Sequence, residues 1–154
     1  MKRIIIVLIL ILLSAACIIE DGGFTESFLI NQSNHSIKVV PYLNGTVQVD
    51  AIELVNPYEK LSVFHLHQRG KITKPSYADI LIAYDSVKVI YDDQYAVKHL
   101  KTVAQAPHEI SFVNNRNLVN VKNYEFVLDK ETKHTIANHY NFTFTEQDYL
   151  DAKQ

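Results

Sequence analysis

From Phe24 onward the chain is built of short runs of β-branched and aromatic residues, each broken by a cluster of Asn, Asp, Gly or Ser. That texture belongs to an antiparallel all-β fold. Phe28-Leu29-Ile30 ends at Asn31-Gln32-Ser33-Asn34, and residues 35–54 are interrupted by Asn44-Gly45. Asn-Gly is the strongest two-residue hairpin signal, because both central positions need positive φ. It would pair Tyr42 with Val47 and Val40 with Val49, one apolar face near the tip. Further down the apolar face switches to Ile37, Val39 and Ile52. One register cannot bury both sets, so a bulge is expected at Pro41.

Residues 60–68 form a further run, and Val87, Val89 and Tyr91 alternate within residues 86–91. Asp92-Asp93-Gln94 is a turn, after which residues 95–99 return as a strand or, with Val97, Leu100 and Ala104, as a short helix. Residues 104–117, with Pro107 and several Asn, read as a long loop. In the last hairpin Tyr124, Phe126 and Leu128 should share an inward face with Ile136, Tyr140, Phe142 and Phe144. A loop with an odd number of residues around Lys130-Glu131-Thr132 is needed for that. Thr145 with Asp148 resembles a helix cap, giving one short C-terminal helical turn. The expected fold is an antiparallel two-sheet sandwich, immunoglobulin-like or similar, of about eight strands.

Such a domain must hold together without disulfides, since Cys17 is the single cysteine of 154 residues. Its place at the edge of an apolar N-terminus suggests another use. Lys2 and Arg3 precede an unbroken apolar run over residues 4–13, followed by Ser14-Ala15-Ala16. A basic start, an apolar stretch too short to span a bilayer and a small-residue cleavage site are the parts of an export signal. Leu13-Ser14-Ala15-Ala16-Cys17 resembles a lipobox, although Ser14 stands where a branched aliphatic is usual. The resemblance implies a cleaved signal over 1–16, an acylated Cys17 with a tether over 17–23, and one β-sandwich over 24–154. Two or three acyl chains hold a protein on a membrane effectively permanently. Cleavage would also remove Lys2 and Arg3, making the formal charge two units more negative than −2. Lipid, not charge, would then hold the protein in place. Ile18 is not the aspartate that retains lipoproteins at an inner membrane, and Glu20-Asp21 resembles the acidic patch of surface-displayed Bacteroidetes lipoproteins. The expected location is therefore the envelope: an outer membrane, on its periplasmic or surface side.

Chemistry is sparse. Fifteen basic against seventeen acidic residues leave no footprint for nucleic acid. Four glycines leave little room for a phosphate loop, and no nucleophile elbow or cofactor motif appears. His65 and His67 alternate onto one strand face and could share a metal, but three or four ligands are needed. His134 and His139 fall on opposite faces, and Asp92-Asp93 reads as a solvated turn. Tyr42, Tyr58, Tyr77 and Tyr84 lie near turns and are candidates for exposure. The absence of tryptophan weakens a sugar-platform reading. Asn31, Asn34, Asn44 and Asn141 open Asn-x-Ser/Thr triplets that fit polar turn chemistry. Asp85-Ser86-Val87 resembles the O-glycan acceptor of exported Bacteroidetes proteins, making Ser86 a candidate glycosylation site.

Two longer stretches are similar to small Bacteroidetes-type lipoproteins: residues 85–93, DSVKVIYDD, and residues 142–152, FTFTEQDYLDA. With the signal they cover about a quarter of the chain. The resemblance implies location and fold, and brings no activity, cofactor or binding residue with it. The leading expectation is a non-enzymatic envelope lipoprotein acting as an interaction or accessory module. Its membrane partner is reached through Cys17, with an envelope protein or glycan as the second partner. Next comes a glycan- or small-ligand-binding lipoprotein, marked by a concave patch of exposed aromatics. A hydrolase whose histidine meets a carboxylate in a pocket comes third.

Overall fold

A computed structural model describes residues 21–70, 81 and 83–154; Cys17, the leader before it and Tyr77 lie outside the described residues. The chain forms β1 Gly22–Asn31, β2 Ile37–Leu43, β3 Thr46–Val47, β4 Glu53–Val55, β5 Lys60–Arg69, β6 Ser86–Tyr91, β7 Tyr95–Leu100, β8 Glu109–Ile110, β9 Glu125–Glu131, β10 Thr135–Phe144 and α1 Glu146–Lys153. The first sheet has the order β5-β1-β10-β9. The second runs β3-β2-β6-β7-β8, with β4 also on β2. The sequence predicts about eight strands; the ten described include three very short ones, β3, β4 and β8.

Leu29, Phe142 and Phe144 of the first sheet meet Ile37, Val39, Val87, Val89, Tyr91 and Val97 of the second in one core, joined by Val55, Leu118, Val119 and Ala152. Each large apolar side chain fully buried there contributes about 1.5–3 kcal/mol relative to exposure. The product is an all-β sandwich.

Both sheets are mixed, where an antiparallel fold is predicted. β1 runs parallel to β10, Gly22 opposite Thr135 and Asn31 opposite Phe144, and β7 runs parallel to β8. β1 and β10 are far apart in sequence and need no hairpin between them, so nothing local dictates their direction. β1 itself starts at Gly22, two residues before the expected domain boundary. Its inward residues are largely polar (Thr25, Ser27, Asn31), whereas Phe24, Phe28 and Ile30 face outward. That inverted polarity is why only Phe28-Leu29-Ile30 reads as strand. Thr25 donates to the Asn138 carbonyl at 2.7 Å. Asn31 donates to the carbonyls of His35, Val55 and Asn56, stapling the exit of β1.

Asn44 and Gly45 take positive φ and pair Tyr42 with Val47 as predicted. The frame change does not occur at Pro41, because β2 pairs with β6 without a break from Ile37 to Tyr42. It falls on the returning chain: a single 3-10 turn at Val49–Ala51 separates β3 from β4, and Ile37 then meets Val55. Residues 95–99 belong to a strand, β7, not to a helix. The last hairpin turns through Thr132, Lys133 and His134, an odd loop. Phe126 faces Tyr140 and Leu128 faces Asn138, past a bulge between Ala137 and Asn138. Phe126 and Leu128 are nonetheless exposed, being near the edge of the sheet. The expected C-terminal turn is an eight-residue helix. The Asp148 carboxylate accepts from the backbone N–H and hydroxyl of Thr145 at 2.7 and 2.8 Å, the N3 side of a capping box.

Candidate functional site

The expected long loop contains a regular device. Asn114, Asn117, Asn120 and Asn123 recur every third residue, and each backbone N–H donates to the carbonyl three residues earlier, at 3.0–3.3 Å. Their side chains tie this spiral to the second sheet and to itself. Asn117 donates to the carbonyls of Leu100 and Ile110, each at 2.9 Å, and accepts from the Val119 N–H. Asn120 donates to Phe112, and Asn123 to Asn114 and Asn117. Leu118 and Val119 are thereby carried into the core.

The spiral also presents the Leu118 N–H to His99 Nδ1 at 3.0 Å. His99 lies on β7, whose alternation turns Val97 and His99 inward, and it is 5% exposed. Burial pushes the imidazole down to about 4; the Asp148 charge pulls it upward and Arg116 pushes it further down. The ring is therefore neutral near pH 7. A backbone N–H can donate only to the unprotonated ring nitrogen, so Nε2 carries the hydrogen. Among the described residues Nε2 has no hydrogen-bond partner.

His99 lines a cavity of about 490 Å³ between β6, β7, the spiral and α1. Val97, Ile110, Phe142 and Phe144 give it apolar walls; Glu109, Arg116, Asp148 and Asp151 give it charge. Tyr91 also lines it and is 2% exposed. Its hydroxyl makes no hydrogen bond among the described residues. Burial, reinforced by Asp148 and Asp151 and opposed by Arg116, raises its ionisation well above the ordinary tyrosine range. Arg116 is committed: its Nε donates to Asp148 at 2.8 Å, one Nη to the other Asp148 oxygen and to the Thr143 carbonyl. One carboxylate thus caps α1 and holds the spiral to it.

Toward the cavity His99 therefore donates a hydrogen bond. A general base facing the cavity would need a lone pair on Nε2, and the Leu118 N–H has assigned that lone pair to Nδ1. Tyr91 is held in its protonated form.

The residues singled out from sequence lie elsewhere. His65 and His67 share the outer face of β5. His65 Nδ1 meets Glu26 at 3.1 Å, and His67 stacks on Phe24 with ring centroids 4.5 Å apart. Among the described residues no three His, Cys, Asp or Glu groups are placed to hold a metal ion. Ser86 is 5% exposed within the paired strand β6. Asp92 and Asp93 form the predicted turn. Asp92 holds His35 at 2.5 Å and the Ser36 N–H, and Asp93 pairs with Lys38 at 2.7 Å. Of the turn tyrosines, Tyr58 is 70% exposed, while Tyr42 and Tyr84 are half-buried. His134 pairs with Asp21 at 2.6 Å and His139 with Asp129 at 2.8 Å, two separate pairs.

His99, Tyr91 and Arg116 were not distinguishable in the sequence as site residues. The one usable signal was the threefold spacing of Asn from 114 to 123. Compared with known proteins, the chain matches no family model, no curated protein and no solved structure.

Proposed function

We propose that this chain is an envelope lipoprotein, anchored through Cys17, whose sandwich binds a small ligand in the His99 cavity without transforming it. The single observation carrying the binding reading is His99 itself: a buried, neutral imidazole fixed as a donor and lining a cavity of ligand size. A ligand acceptor would pair with that donor. Pockets of a few hundred Å³ with apolar walls and a few convergent polar groups are the usual form of small-ligand sites. The aromatics here are buried in the cavity wall, not spread on an exposed platform.

The anchor rests on the lipobox resemblance and on the short tether. Among the described residues no helix is long and apolar enough to cross a membrane. A protein partner is a second reading, favoured by Val103, Phe112 and Val113, which are 71%, 37% and 86% exposed on the loop around β8.

A fragment screen by protein-observed NMR tests the binding reading. Hits should move the backbone resonances of Val97, His99 and Leu118. Tyr91→Phe removes one oxygen, keeps the packing, and should weaken those hits about tenfold, or about 1.4 kcal/mol. A screen whose hits all map to other surfaces, or none of which binds, overturns it.

A further inference from the structure

Resting on the cavity reading above, we propose that the site accepts an uncharged or amino-substituted hydroxylated molecule of monosaccharide size and turns away anions. Three carboxylates, Glu109, Asp148 and Asp151, face the cavity against one guanidinium. That guanidinium is paired with Asp148 through Nε and one Nη, so its charge is matched by that carboxylate. An entering anion would meet the carboxylates of Glu109 and Asp151, which no lining guanidinium pairs.

The hydrogen-bonding capacity is two-sided. The Tyr91 hydroxyl and the Nε2–H of His99 ask for an acceptor. Among the same lining residues, Glu109 uses Oε2 to accept from the Gln105 and Ala106 N–H groups, and Asp151 uses Oδ1 to accept from Gln147. Their remaining oxygens are open to a donor. A hydroxyl donates and accepts at once, so a polyol satisfies both the donors and the acceptors of the lining. The C–H edge of a sugar ring suits the apolar walls between them. A simple carboxylate only accepts and would serve Tyr91 and His99 alone.

The test is a titration of the detergent-solubilised full chain, followed by NMR, with three sugars of one skeleton and different charge: glucosamine, N-acetylglucosamine and glucuronate. The first two should shift the Val97 and Leu118 resonances, with glucuronate at least about tenfold weaker, or about 1.4 kcal/mol. Asp151→Asn should narrow that gap by strengthening glucuronate. Glucuronate binding the cavity as well as its partners overturns the ligand class and leaves the cavity standing. So does a cavity that binds fragments while ignoring all three sugars. A cavity that binds neither fragments nor sugars removes both.

Discussion

His35 and His99 titrate in opposite senses, and their difference sets how the fold responds to acid. His35 ties the β6–β7 turn to the start of α1: Nδ1 to Asp92 at 2.5 Å, Nε2 to Glu146 at 3.1 Å, the ring stacked on Tyr149. Desolvation pulls its pKa downward, but the hydrogen bonds and charges of Asp92 and Glu146 outweigh that and raise it above 6.5. Its contribution is full below the unfolded pKa and fades as pH rises through the folded one. For Asp92 the His35 bond leads a downward shift from 3.8, so its contribution is present above that value and lost as pH falls through the folded pKa. His99, held down to about 4, stays neutral in the native state while the unfolded chain takes a proton below 6.5. Stability therefore falls by up to about 1.4 kcal/mol per pH unit across that window. Asp92 and Glu146 are 38% and 48% exposed, so solvent screens the His35 pairs, and the buried His99 dominates. Urea midpoints should drop from pH 6.5 towards 4 in the wild type. His99→Phe should flatten that acid limb, and His35→Asn should cost more stability at pH 6 than at pH 8. An acid limb unchanged in His99→Phe refutes the assignment.

At the scale of elements, the Asn spiral is the part whose loss should be felt most widely. Asn117 is 0% exposed and satisfies the carbonyls of Leu100 and Ile110 and the N–H of Val119. Asn117→Ala leaves three backbone groups without that partner. At about 1–3 kcal/mol for each one left buried, destabilisation of about 3 kcal/mol or more is expected. It should appear as a lower urea midpoint with unchanged slope, and β7 and β8 amides should lose exchange protection first. A loss below about 1 kcal/mol would mean that water replaces the side chain and that the spiral is not a clamp. Legibility divides along the same line. β5, β6, the Asn44-Gly45 turn and the α1 cap were readable because alternation, turn chemistry and a capping pair are local. The parallel β1–β10 pairing was not, since its partners are more than a hundred residues apart, and β1 hid its strand by pointing Phe24 and Phe28 outward. The site was less legible still. His99 is an ordinary inward position of a strand, and its chemistry comes from an N–H that the spiral delivers from nineteen residues away.

The whole molecule has a direction if Cys17 is lipidated. Four residues separate Cys17 from β1, a reach of at most about 15 Å, and the last of them, Asp21, is already tied to His134. The Gly22 end of the first sheet, with the Thr132-Lys133-His134 turn, would therefore face the bilayer. β1 and β10 run parallel away from it for ten residues each, or roughly 30 Å, to Phe144 and α1, where the cavity lies. The ligand site would thus be held out from the membrane, towards whatever medium the anchored face meets. A spin label at Lys133→Cys in the lipidated protein should be strongly relaxed by a paramagnetic headgroup lipid, and one at Asn115→Cys on the cavity wall should not. Combined with Cys17→Ser, both labels should lose the effect, because the protein leaves the vesicles. If the Asn115 label is relaxed as strongly as the Lys133 label, the domain lies along the surface and the cavity opens beside the lipid. If the Cys17→Ser protein stays on the vesicles with its relaxation pattern intact, the anchor is something other than the thioether.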